Sequence, residues 1–388
     1  MALKFRIACI ILGLAISVAI IEISLALSGF SQPVFYQVDP DFGMSHRPRV
    51  SGWQTDEGVA YVEINQDGFR DRDATIEKNP GIVRIAVLGD SYTEALQVDR
   101  EENFCSVAER TLNKLSEREF EVLNFGVAGY GTTQEWLLLK KRVTHYSPDI
   151  VVLAFFTGND IRNNSKALEQ SPRPFFVEDD QGGYLLDESF RETKYFAKRN
   201  SVLAQALVSA ADYSRIVQVF NRVRRSIRVR ATVQATSQFL DSNLVELGLD
   251  RQIYRAPDKP EWVKAWEVTE YALRAFADEV ANQGAMLLVV TLSNGIQVDP
   301  RVEERRKVMK ALGVDNLFYP DKRVERFCEE NSMPVLVLAP SLRELAEKQS
   351  IPLHGFQNTQ LFQGHWNENG HRFAGELIAQ RILEQLRQ

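Results

Sequence analysis

The chain has 388 residues, 44% of them hydrophobic and 25% charged, with a formal net charge of −6. That is an ordinary globular composition, with enough chain to bury a core without disulfides or a structural metal. The acidic balance argues against nucleic acid as a partner, because phosphate binding needs a basic surface.

Lys4 and Arg6 precede an apolar stretch running from Ile7 to about Phe30, interrupted by the single acid Glu22. A bilayer core is crossed by a helix of about 20 apolar residues, so the spacing predicts a single-pass membrane anchor over residues 7–30. A cleavable secretory signal has a shorter apolar region, although Ala26-Leu27-Ser28 is a passable cleavage site. Positive charge before the span and none after it until Arg47 predicts an inner-membrane protein with its long C-terminal part in the periplasm or outside the cell. No functional role is expected of Glu22.

Residues 31–80 read as an extracytoplasmic lead-in, with a hairpin strand at Val59–Ile64 and a turn at Asn65-Gln66-Asp67-Gly68. From residue 81 short apolar runs alternate with amphipathic stretches. The runs are Ile82–Leu88, Phe120–Phe125, Ile150–Thr157, Met286–Thr291 and Pro334–Ala339. Phe104, Val107, Ala108, Leu112 and Leu115 recur at helical spacing, and Trp262–Gln283, Arg323–Asn331 and Gly370–Leu386 read as helices too. Apolar strands separated by helices predict an α/β, doubly wound fold with a parallel sheet covered on both faces.

An insertion at 165–258 separates the third and fourth strands. It holds an arginine-rich helix with apolar residues at 216, 219, 220, 223 and 227. That helix suits either a solvated face packed on the domain or an anionic membrane surface. Cys105 and Cys328 fall on helices as small buried thiols, Cys9 lies in the apolar stretch, and no cysteine spacing suggests a metal. No metal and no cofactor is expected.

Three strand ends carry candidate chemistry. Ile85-Ala86-Val87-Leu88-Gly89-Asp90-Ser91 brings a serine to the carboxyl edge of the sheet, where open α/β folds hold ligands. Asn124-Phe125-Gly126-Val127-Ala128-Gly129 follows the second strand, and its glycines let backbone amides approach a developing oxyanion. Thr157-Gly158-Asn159-Asp160 follows the third and adds a carboxamide. Acyl transfer needs such a nucleophile with donors where negative charge develops. The base is expected from Gln363-Gly364-His365-Trp366-Asn367, with His365 in a turn before a last helix starting near Asn367. His371 reads as structural, and His46, His145 and His354 carry no role.

Together these four blocks resemble the SGNH hydrolases, or GDSL esterase/lipase family, through Ser91, Gly129, Asn159 and His365. The resemblance spans about residues 82–165 and 262–388. It implies a flavodoxin-like sheet of five parallel strands, attack by Ser91 on an ester carbonyl, and an oxyanion hole made by the Ser91 and Gly129 amides with the Asn159 side chain. Tyr92 replaces the family's leucine, at a position expected to do no chemistry. The family's aspartate two or three residues before the histidine is missing, since Phe362 and Gln363 stand there. Gln363 is the candidate to orient His365, through its carbonyl oxygen.

The expected function is an extracytoplasmic serine esterase or O-acyltransferase. Its partner would be an acyl ester substrate, such as an O-acetylated glycan of the envelope or an exported polysaccharide. A phospholipid or thioester hydrolase is another reading. A catalytically weak SGNH domain that binds glycan is the alternative the missing aspartate suggests.

Overall fold

The computed structural model describes residues 2–239 and 249–387, so the stretch 240–248 of the expected insertion lies outside the described residues. Five strands form a wholly parallel sheet: β5 (Val83–Gly89), β6 (Phe120–Asn124), β7 (Ile150–Phe156), β10 (Met286–Leu292) and β11 (Val335–Val337). Their spatial order is β6-β5-β7-β10-β11, the flavodoxin-like arrangement of an α/β doubly wound sheet. Chain order reverses between β5 and β7, and their carboxyl ends are where such sheets hold ligands.

Strand periodicity divides the core into two layers. Ala86, Leu88, Val151, Leu153 and Phe155 face one side, packing on the helices Thr132–Lys141, Pro260–Asn282 and Tyr319–Glu330. Ile85, Val87, Val152, Ala154 and Val290 face the other, against Phe104–Leu115, Leu338–Gln349 and Glu368–Gln385. All seven residues of β7 are buried, as a central parallel strand covered on both faces requires.

Two antiparallel hairpins precede the sheet, β1 (Tyr36–Asp39) with β2 (Gly43–His46) and β3 (Ser51–Gln54) with β4 (Ala60–Glu63). The insertion is not wholly helical. It opens with a third hairpin, β8 (Phe175–Glu178) and β9 (Tyr184–Asp187), before the helices Lys194–Arg199, Val202–Tyr213 and Arg215–Phe239. At the start of the chain, Ala2–Leu27 is one helix. Its Leu3–Leu27 portion has a mean hydropathy of 2.6, is unburied, and is long and apolar enough to cross a membrane. Cys105 and Cys328 are buried free thiols.

Candidate active site

Gly89 closes the end of β5 against its neighbours. A β-carbon there would stand 2.2 Å from Thr93 Oγ1 and 2.9 Å from the Ala154 carbonyl. The chain then turns into the short helix Ser91–Glu94. The Asp90 carboxylate caps this turn by accepting the Tyr92 amide at 3.0 Å, so Ser91 is the first helical residue above the sheet edge.

His365 reaches Ser91 from the far end of the chain. Its Nε2 lies 2.8 Å from Ser91 Oγ, so the structure brings together the serine and histidine that the sequence paired. At Nδ1 stands Glu57, not Gln363. Glu57 Oε2 is 2.5 Å from Nδ1, and Oε1 accepts the His365 backbone N–H at 2.8 Å. Gln363 is half-buried, and its side chain makes no hydrogen bond among the described residues. A carboxylate with both oxygens on one residue's ring and backbone outcompetes a neutral amide for that place. Burial alone would push the Glu57 carboxyl up, but hydrogen bonds and charge from His365 outweigh it and hold the group below its ordinary value.

Glu57 sits in the turn between β3 and β4, and one side chain fastens that turn to the histidine loop. Asn358 Oδ1 accepts the Gly58 amide at 3.0 Å, while Nδ2 donates to the Thr55 and Gly58 carbonyls at 3.2 and 2.9 Å. Gly364 makes room for the acid. A β-carbon on it would lie 2.1 Å from Glu57 Oε1, and its φ of +86° is left-handed.

His354, for which the sequence suggested no role, anchors the same loop. Its Nδ1 lies 2.7 Å from the Gly364 carbonyl and must carry the proton, leaving Nε2 to accept the Ser293 hydroxyl at 3.2 Å. Ser293 in turn accepts Trp366 Nε1–H at 3.0 Å. Burial pushes His354 down to about 4, so the ring is neutral near pH 7. Tyr92 also departs from expectation. Its hydroxyl donates to the same Gly364 carbonyl at 3.0 Å, and its ring centroid is 5.0 Å from that of His365. A leucine at this position could supply neither the hydrogen bond nor the aromatic contact.

The loops bearing Gly129 and Asn159 meet this centre. Asn124 Nδ2 donates to the Thr93 carbonyl at 2.6 Å, and the Ala128 amide donates to Glu94 Oε1 at 3.2 Å, tying the glycine loop to the serine helix. Glu94 is itself buried against His46 and the Tyr36 hydroxyl. The carbonyl of Gly129 accepts Arg173 Nη1–H at 2.6 Å, and the residue adopts φ +72°. Neither the Ser91 nor the Gly129 amide has an acceptor among the described residues. Asn159 precedes the helix Asp160–Asn163, with Nδ2 3.4 Å from Asp90 Oδ2 and a buried, unpartnered Oδ1. Burial pushes the Asp90 carboxyl up to about 6. Burial and the charge of neighbouring acids also push Glu135 and Asp160 well above the ordinary carboxyl value.

Of the other histidines, His371 is buried in the last helix, where Nδ1 accepts the Phe104 amide at 3.3 Å, the structural place expected for it. Among the described residues no group of three or more His, Cys, Asp or Glu is arranged to hold a metal ion.

No family model and no curated protein matches the chain. Solved structures of esterases and lipases are similar to it at low identity. An acetyl xylan esterase is 12% identical, with 78% of this chain and 100% of that one covered and a TM-score of 0.39. A lipase from a goat rumen metagenome is 10% identical over 77% and 97%, with a TM-score of 0.38. A catalytic mutant of an acetylxylan esterase from Geobacillus stearothermophilus is 12% identical over 78% and 93%, with a TM-score of 0.36.

Proposed function

We propose that the chain is a membrane-anchored serine esterase or O-acyltransferase of the SGNH type, acting outside the cytoplasm on short acyl esters, acetyl above all, of an envelope or exported glycan. The observation that carries this reading is the unbroken relay from Ser91 Oγ through His365 to Glu57, at 2.8 and 2.5 Å. Glu57 accepts a hydrogen bond from Nδ1–H, which keeps the proton on that nitrogen and leaves Nε2 free to take the one on Ser91.

In the first half-reaction the Ser91 Oγ–carbon bond forms, the carbonyl electron pair moves onto oxygen, and the hydroxyl proton passes to Nε2. The Ser91 and Gly129 amides and the Asn159 carboxamide meet the oxyanion, each donor contributing on the order of a hundredfold in rate. Collapse breaks the ester C–O bond, and the departing alcohol takes the proton from Nε2. Water, or a second sugar hydroxyl, then repeats the sequence on the acyl-enzyme, giving hydrolysis or transfer.

Beside Gly129 lies a cavity of about 180 Å³ lined by Tyr36, Met44, Arg173 and Tyr195 among others. It adjoins a larger one of about 530 Å³ whose walls include Lys166, Arg173, Thr193 and Tyr195. The extracytoplasmic placement rests on Lys4 and Arg6 preceding the apolar helix. The rival reading, a glycan-binding domain without turnover, drew its ground from the missing aspartate, and Glu57 removes that ground.

The test is hydrolysis of 4-nitrophenyl acetate by the full-length protein in detergent, against Ser91→Ala. The variant should lose about three orders of magnitude or more in kcat. Equal rates for the two proteins would end the enzyme reading, and a strong preference for long-chain esters would reverse the substrate assignment.

A further inference from the structure

Outside the N-terminal helix, the most basic part of the chain also exposes a run of large apolar side chains. Between Lys194 and Arg230 there are nine lysines and arginines against one acid, Asp212, in a protein whose net charge is −6. Asp212 is paired with Arg47. Along the helices Val202–Tyr213 and Arg215–Phe239 the side chains of Leu203, Leu207, Tyr213, Val217, Phe220 and Ile227 are exposed, five of them by more than half. Val217, Phe220 and Ile227 recur at helical spacing, so they form one stripe, with Arg224 and Arg225 beside it. Such a face, apolar in a line and basic at its margins, has the chemistry of an anionic lipid surface; an acidic polysaccharide would match the charge but leave the stripe in water.

The placement of these helices fixes which surface it is. Glu22, inside the apolar N-terminal helix, accepts the backbone amide of Arg215 and those of Ile216 at 3.1 Å and the Ser214 hydroxyl at 3.2 Å. Glu22 precedes the helix end at Leu27 by five residues, about 7–8 Å along the axis. The corner between the two helices is therefore held below the end of the apolar helix, not above it.

We infer that the helix pair 202–227 lies in the outer boundary of an anionic phospholipid bilayer, its apolar stripe among the upper acyl chains and its arginines among the headgroups. The inference rests on the reading of Leu3–Leu27 as a membrane span. It also links the bilayer to the site, since Arg225 pairs with Asp56 at 3.0 Å, one residue before Glu57.

Environment-sensitive fluorescent labels on single cysteines test it in the full-length protein, reconstituted in vesicles of phosphatidylethanolamine and phosphatidylglycerol. Cys105 and Cys328 are buried, so Cys9→Ser removes the one exposed thiol. Labels go on Leu207→Cys and Phe220→Cys, on Leu14→Cys within the span, and on Glu117→Cys at the opposite rim of the sheet. Retained hydrolysis of 4-nitrophenyl acetate checks that each labelled protein is folded. With nitroxide lipids present, emission at 207 and 220 should shift to the blue and be quenched as at 14, with neither change at 117. Quenching at 14 without any at 207 and 220 overturns the docking and leaves the span standing. No quenching at 14 overturns the span, and the docking with it. A blue shift without quenching, as a second copy of the chain covering the face would give, also overturns it. Arg222→Glu with Arg224→Glu should weaken quenching at 207 in these vesicles and leave it unchanged in phosphatidylcholine. An equal effect in both would overturn the part given to charge.

Discussion

The proton carried by His365 has two places to sit, and Glu57 decides between them. An imidazole with Nδ1–H facing a carboxylate presents a bare Nε2 to the serine; the other tautomer presents N–H and cannot accept a proton. Glu57→Gln keeps the size of the side chain and the chance of a hydrogen bond to the His365 amide. It removes the charge that stabilises the imidazolium, and its NH₂ can favour the wrong tautomer. By analogy with the serine-protease triad, kcat for 4-nitrophenyl acetate should fall by about three to four orders of magnitude with KM and thermal stability little changed. Glu57→Asp should recover part of the loss. A Glu57→Gln rate within about threefold of the wild type would show that His365 is oriented by something else.

Two loops that share no sequence neighbourhood act as one element here. The turn at 55–58 and the loop at 354–366 are joined by Asn358, and Gly364 lets them touch. Gly364→Ala should break this union twice over, by left-handed strain and by pressing a methyl into the Glu57 carboxylate. Strain of this kind costs about 1–2 kcal/mol. Gly313→Ala separates the two effects: Gly313 has φ +67° and open space around it, far from Glu57 in the chain. Both variants should lose stability in thermal unfolding, while only Gly364→Ala should lose activity, by about tenfold or more, as a misplaced catalytic group does. Equal activity losses would deny Gly364 its part in seating Glu57. The same pair of loops marks where sequence reading stops. The buried strands were legible because their apolar runs are continuous and flanked by turn residues, and Ser91 and His365 because their blocks sit at strand and helix ends. Glu57 was not, since Thr55-Asp56-Glu57-Gly58 reads as any solvated turn and meets His365 only through packing 308 residues away. The last strand lies where its apolar run predicts it but ends earlier, for a different reason. Leu338 and Ala339 continue an apolar run, yet they begin the helix Leu338–Gln349, and apolar content alone does not separate a short strand from a buried helix start. In the insertion, Asp179-Asp180-Gln181-Gly182 joins β8 to β9, a turn signal overshadowed by the longer helical pattern that follows it.

Over the whole molecule, buried acids and buried histidines set opposite dependences of stability on pH. Burial pushes His354 down to about 4 and His371 down to about 3. Below their ordinary value of 6.5 the unfolded chain takes up protons that the folded chain refuses, so these rings make stability fall as pH drops from 6.5. Burial pushes Asp321 the other way, up to about 7, although hydrogen bonds from Gln297 and Thr291 oppose the shift. Between its ordinary value of 3.8 and about 7 the folded chain keeps a proton that the unfolded chain releases, so this group makes stability fall as pH rises. The two tendencies offset each other over the acid range, and above 6.5 the acid acts without the histidines. Asp321→Asn removes the titration while keeping the contacts: the amide oxygen can accept from Gln297 Nε2, now 2.6 Å from Asp321 Oδ2, and the NH₂ can donate to Thr291 Oγ1, 3.1 Å from Oδ1. Relative to the wild type, the variant should therefore gain stability as pH is raised from 5 to 8, by on the order of 2–4 kcal/mol. Thermal unfolding of both full-length proteins across that range checks it, and a difference in Tm that stays constant with pH would mean that Asp321 is ionised in the folded core.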